Sequence, residues 1–173
     1  MAGGVKFDIV ANGTPINVAW TRADSNDAFL ALDRNHNGLI DSGAELFGNF
    51  TSQAPSAKRG GANGFLALQV FDDPANGGNG DGQITDDDAI WPALRLWVDA
   101  NHDGVSQADE LRSLDDNGVR AISLHYVQQK TIDEFGNLYR FRSLVTMDKD
   151  AADLGGPIKR RAVDVFFKHS LVR

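Results

Sequence analysis

Residues 99 to 110 read Asp99-Ala-Asn101-His-Asp103-Gly104-Val105-Ser-Gln107-Ala-Asp-Glu110. In a twelve-residue EF-hand loop, oxygen-bearing side chains stand at positions 1, 3 and 5, glycine at 6 and glutamate at 12, and every slot is filled here. A large, hard cation wants six to eight oxygens. The Asp99, Asn101 and Asp103 side chains, the Val105 carbonyl, a water on Gln107 and a bidentate Glu110 supply them, so the expected ion is calcium. Gly104 permits the sharp turn that joins the two halves. The bland alternative is an acidic turn held by Asx hydrogen bonds, and the complete match argues against it.

The same pattern recurs upstream. Asp33-Arg-Asn35-His-Asn37-Gly38-Leu39-Ile40-Asp41-Ser-Gly43-Ala-Glu45 offers Asp33, Asn35, Asn37, the Leu39 carbonyl and Asp41, with an apolar residue at position 8. Its glutamate is displaced by one: Ala44 holds position 12, and Glu45 reaches the ion through a wider turn at Gly43, or else Asp41 and water complete the shell. A third loop lies in residues 72–88, with Asn79, Asp81, Gln83 and Asp88 at positions 3, 5, 7 and 12. Gly77 stands where position 1 needs an acid, and a four-residue insertion lets Asp73 substitute. The shorter Asp88 carboxylate predicts a weaker, more magnesium-tolerant site. Two to three calcium ions are expected in all.

The charge distribution agrees. Of 24 acidic and 17 basic side chains, residues 33 to 110 hold 13 acidic and 4 basic, a local charge of −9 that leaves the remainder at +2. Such a field attracts a cation and repels phosphate backbones, which excludes nucleic acid as a partner. Without cysteine there is no disulfide, thiolate metal site or cysteine nucleophile. No apolar run approaches the roughly 18 residues of a membrane span, and Met1-Ala2-Gly3-Gly4 lacks the regions of a signal peptide. A soluble single domain over 1–173, in the form of an excised fragment, is expected.

Around the loops the expected fold class is α+β, with short helices and EF-hand-like calcium loops packed with an N-terminal β-hairpin and C-terminal antiparallel strands. Residues 5–20 read as two β runs about Asn12-Gly13-Thr14-Pro15. In the calcium-loop region, 25–117, helices are expected around Phe29 to Leu32, around Phe65 to Phe71, and from Pro92 to Val98, where Ile90, Leu94 and Trp97 follow i, i+4, i+7. Strand signals return over 119–172, and residues 51–64 read as an exposed, mobile loop. The spacing of the last two loops, with few methionines, argues against a calmodulin-like sensor.

The remaining candidates carry less. His36, His102, His125 and His169 are scattered, and loop position 4 faces solvent in EF-hands. Ser25, Ser106 and Ser170 sit in no nucleophile motif, and no catalytic residue is expected. Trp20, Trp91 and Trp97 are expected in the core, where they report metal binding optically.

Taken in order, NGLIDSGAELFGN, NGFLAL, NGDGQITDDDAIWPALRLWVDANHDGVSQADEL and NGVRAISL resemble an EF-hand-containing domain of large secreted bacterial proteins, including the calcium-dependent self-processing modules of repeat-in-toxin (RTX) proteins. The resemblance spans roughly residues 27 to 125. It implies a secreted, extracellular setting and a calcium-folded structural or interaction module, a monomer whose partners are calcium and either another protein or the rest of a larger parent chain. Self-processing relatives cleave an Asp-Pro bond just ahead of the domain and join the new aspartyl end to a lysine. The alternative function is therefore calcium-dependent autoproteolysis, upstream of this chain or at Asp73-Pro74, its one Asp-Pro bond.

Overall fold

A computed structural model describes residues 4–53, 61–148 and 158–169. Strands β1 (Gly4–Phe7) and β2 (Ile16–Ala19) pair antiparallel, with Val5, Phe7, Ile16 and Val18 turned inward at the two-residue period of a half-buried ribbon. Strand β3 (Phe29–Leu32) pairs antiparallel with β5 (Leu94–Trp97), which pairs with β6 (Leu111–Arg112). A larger sheet runs β10-β9-β7-β4, from β4 (Gln83–Ile84), β7 (Val119–Ser123), β9 (Leu138–Met147) and β10 (Ile158–Phe166), with β8 (Val127–Ile132) also on β9.

The expected α+β class is corrected: the fold is predominantly antiparallel β. Among the described residues the single α-helix is α1 (Gly64–Gln69), capped by Asn63, whose side chain accepts from Leu66 N. The helix expected near Phe29 is β3. The helix expected from Pro92 to Val98 is a 3-10 turn, Trp91–Ala93, that runs into β5. Pro92 has no amide to donate and suits a first turn, but Leu94 and Trp97 are buried by cross-strand neighbours rather than along one helix face. The expectations for residues 54–60, 149–157 and 170–172 lie outside the described residues.

Two apolar clusters anchor the loops. Val5, Phe7, Trp20 and Trp97 centre the first, with ring centroids 5.4 to 5.6 Å apart between Phe7 and Trp20, Phe7 and Trp97, and the two indoles. Leu68, Ile84, Trp91, Leu94 and Ile122 belong to the second. Ile40 lies in the first cluster and Ile84 in the second, each at position 8 of its loop and almost wholly buried. The first two loops are thus pinned by their middles to the core.

Candidate metal-binding loops

All three loops share one backbone figure. In the first, the Asp33 carboxylate accepts from Asn37 N at 3.2 Å and Gly38 N at 2.8 Å. In the third, Asp99 accepts from Asp103 N at 3.1 Å and Gly104 N at 2.9 Å. Position 4 lies in the left-handed region in each (His36, Gly80 and His102 at φ 58°, 74° and 59°), as does the glycine at position 6 (Gly38, Gly82 and Gly104 at 82°, 83° and 75°). Glycine reaches such angles without strain, which suits the larger φ of position 6, whereas His36 and His102 carry side chains at position 4.

In the middle loop the carboxylate that holds the loop amides is not the Asp73 that the insertion suggested. Its position-1 carboxylate is Asp72: Oδ1 accepts from Gly80 N at 3.0 Å and Asp81 N at 3.1 Å, and Oδ2 from Gly82 N at 3.1 Å. Asp73 instead caps the 3-10 turn Pro74–Asn76 through Ala75 N. The inserted residues close this turn, so the chain comes back onto Asp72. Gly78 packs so tightly there that an added Cβ would lie 2.2 Å from the Asp72 carbonyl carbon. Two adjacent aspartates gave the sequence no means of choosing between them.

The last carboxylate of each loop folds back as a clasp. Glu45 accepts from Arg34 N at 3.1 Å and Asp41 N at 2.9 Å, so a glutamate at position 13 reaches the loop start. Glu110 accepts from Ala100 N at 2.8 Å and Gln107 N at 3.3 Å. Asp88 accepts from Thr85 N at 2.7 Å and Asn79 N at 3.3 Å. Two indoles complete the third loop: Trp20 donates to Asp99 at 2.7 Å and Trp97 to Glu110 at 3.2 Å.

These carboxylates are buried and hydrogen-bonded, but without an ion pair among the described residues. Glu45, Asp72, Asp88, Asp99 and Glu110 are all between 1% and 8% exposed. The ion pairs among the described residues join Arg22 to Asp24 and Arg120 to Asp115 and Asp148, none of them in a loop. Burial pushes the Glu45 carboxyl above its ordinary range. Arg34 is nearby, but its guanidinium donates to the Ala44 carbonyl and lies over the Phe47 and Phe71 rings.

The exposed donors are turned onto each other. Asn37 Nδ2 donates to Asp41, Asn101 Nδ2 and Gln107 Nε2 to Asp103, and Asn79 Nδ2 to Asp81. Among the described residues no three His, Asp or Glu groups converge on one point. In these contacts an amide nitrogen lies against a carboxylate, while the amide oxygens of Asn37, Asn79 and Asn101 accept from the loop N–H groups of Leu39, Asp81 and Asp103. Gln107 Oε1 is buried and without a hydrogen-bond partner. The donors are all oxygen, with no sulfur and no imidazole, which fits a hard divalent cation. His102 is not solvent-facing as expected: Nε2 contacts the Thr21 carbonyl.

A fourth copy of the figure escaped sequence reasoning. Asp8 accepts from Asn12 N at 3.1 Å and Gly13 N at 2.7 Å, with Ala11 at φ 56° and Gly13 at 81°. Val10 replaces the donor at position 3 and no acid follows at position 12, so this copy is structural. Its signal was the spacing of Asp8, Asn12 and Gly13, identical to that of Asp33, Asn37 and Gly38.

Comparison with known proteins gives the family. An iron-regulated protein, FrpA, of Neisseria meningitidis serogroup C is 37% identical over 153 residues, covering 88% of this chain and 13% of that protein. The chain therefore spans a small part of the relative it matches. The resemblance to an EF-hand-containing domain is corrected, because the loops issue mainly from strands, the fold is nearly all β, and the family match is a different one. Residues 1–159 match the SPM domain, and the chain belongs to that family.

Proposed function

We propose that the three loops bind calcium and that binding closes the fold of a structural or interaction module within a larger, secreted bacterial protein. The observation that carries this reading is the burial of five loop carboxylates without an ion pair among the described residues. A buried charge left unpaired is strongly destabilising, and a divalent cation at each loop offsets the cost. Calcium that binds the native state alone adds about 2.7 kcal/mol per site at a hundredfold excess over its Kd. Asp33, Asn35, Asn37, the Leu39 carbonyl, Asp41 and Glu45 would hold one ion. Asp72, Asn79, Asp81, Gln83 and Asp88 would hold the second, and Asp99, Asn101, Asp103, the Val105 carbonyl and Glu110 the third. The export of the parent, into a medium rich in calcium, makes folding follow secretion. Calorimetric titration of chelator-stripped protein tests the reading: saturable binding at two or three sites supports it, and no heat with calcium refutes it.

A second reading, calcium-dependent self-processing at an Asp-Pro bond, is favoured by one observation. Because Asp72 takes position 1, the Asp73 carboxylate is not held in the loop. The Asp73 carbonyl accepts from Asn76 N at 2.8 Å and Gly78 N at 3.1 Å, donors that would stabilise charge on that oxygen during attack. Mass spectrometry after calcium addition checks it: two fragments dividing at Asp73-Pro74, lost in Asp73→Ala, support internal cleavage, and an intact chain excludes it at this bond.

A further inference from the structure

Six asparagines are followed directly by glycine: Asn12, Asn37, Asn63, Asn76, Asn79 and Asn117. Such a pair can modify itself. The glycine amide nitrogen, with no Cβ beside it to hinder approach, loses its proton to solvent, attacks the asparagine side-chain carbonyl carbon and expels ammonia. The cyclic imide that results takes up water and opens to aspartate or isoaspartate. One ammonia leaves and one water enters, with no oxidant or cofactor. The step needs that nitrogen deprotonated and free to turn towards its own side chain. A hydrogen bond from the N–H to a fixed acceptor opposes it, most strongly when the acceptor is a carboxylate.

Four of these glycine amides donate to a carboxylate. Gly13 N meets Asp8 at 2.7 Å, Gly38 N meets Asp33 at 2.8 Å, Gly64 N meets Asp164 at 3.2 Å and Gly80 N meets Asp72 at 3.0 Å. Asn63 is buried as well. The other two donate to backbone carbonyls: Gly118 N to Asp115 at 2.9 Å, and Gly77 N to Pro74 at 3.3 Å, the longest of the six. Asn117 and Gly118 are half-buried, whereas Asn76 and Gly77 are exposed. Asn76 Nδ2 donates to the Val70 carbonyl at 2.9 Å, a surface bond that water can replace.

We propose that Asn76-Gly77 is the site at which the folded chain deamidates, and that Asp8, Asp33, Asp72 and Asp164 hold four of the other pairs closed. The consequence falls on the middle loop. Asn76 ends the 3-10 turn Pro74–Asn76, and its backbone N–H donates to the Asp73 carbonyl at 2.8 Å. That turn brings the chain back onto Asp72. An isoaspartate at this position carries one more methylene in the backbone, so the turn no longer closes as before and Asp72 loses its fixed place against Gly80, Asp81 and Gly82. Ageing of the chain is recorded first at the turn that shapes this loop.

The test ages the full chain in mildly alkaline, calcium-containing buffer, folded and, in parallel, unfolded in urea. Both samples are digested in acid and mapped by mass spectrometry, with isoaspartate told from aspartate by electron-transfer fragmentation. In urea all six pairs should convert at similar rates. In the folded chain Asn76 should convert at least about tenfold faster than Asn12, Asn37, Asn63 and Asn79, a difference of roughly 1.4 kcal/mol in barrier, with Asn117 between. Asp33→Ala, its fold checked by circular dichroism, should speed conversion at Asn37 and leave Asn12 and Asn63 as in the parent. Equal conversion of all six pairs in the folded chain, a carboxylate-held pair or Asn117 reacting ahead of Asn76, or no rise at Asn37 in Asp33→Ala would each overturn it.

Discussion

Asp164 sits on β10 facing the start of α1, where Oδ1 accepts from Gly64 N at 3.2 Å and Oδ2 is buried with no partner. Burial pushes its carboxyl up from 3.8 to about 6, opposed by the Gly64 hydrogen bond and the Arg140 charge. The folded value lies above the unfolded one, so the ionised group costs stability above pH 6. The native state regains that stability as the pH falls from 6 towards 4. Asp164→Asn removes the titration. Its stability relative to the parent should improve by roughly 3 kcal/mol between pH 4 and pH 8, taking about 1.4 kcal/mol per unit. Urea denaturation at both values checks this, and a pH-independent difference would contradict it. At the same scale, Asp72 and Asp73 separate cleanly. Asp72→Asn should weaken the middle site at least tenfold and Asp73→Asn leave it within about twofold, since one carboxylate organises three loop amides and the other caps a turn.

At the level of elements, Ser106 joins two loops. Its hydroxyl accepts from Ile40 N at 2.6 Å and donates to the Ile40 carbonyl at 3.3 Å, both buried, and both residues hold position 8 of their loops. Ordering one loop therefore orders the other, whereas the middle loop is tied through β4 to β7. Ser106→Ala should reduce the cooperativity between two calcium sites and lower stability by about 1–3 kcal/mol, the cost of leaving the Ile40 amide unpaired. A titration curve unchanged in shape would show the loops to be independent. This level also separates what was legible in the sequence from what was not. The first and third loops declared themselves because Asp, Asn and Gly at fixed spacing act locally, through hydrogen bonds two to five residues apart. Their flanks did not. Phe29-Leu30-Ala31-Leu32 and Leu94-Arg95-Leu96-Trp97 are short apolar runs, ambiguous between helix and strand until each finds the other, more than 60 residues away. Nor did the spacing of Asp73 and Gly77 reveal that Asp72 accepts the loop amides, because that depends on how the inserted turn closes.

Over the whole molecule, the loops are tied into the two apolar clusters, through Ile40 in the first and Ile84 in the second. Asp99 and Glu110 hold the indoles of Trp20 and Trp97 at the centre of the first apolar cluster, so a change in the charge of the third loop is felt in that cluster. On the proposed function, cation binding and packing of the first cluster are coupled through these two hydrogen bonds, and the two indoles report it. The most direct measurement is calcium titration of the chelator-stripped chain by calorimetry, with tryptophan fluorescence followed in parallel. The account predicts saturation at two or three ions per chain, a fluorescence change that tracks the heat, and loss of the third site's share in Glu110→Gln. Absence of binding heat, with an unchanged emission spectrum at millimolar calcium, would contradict it.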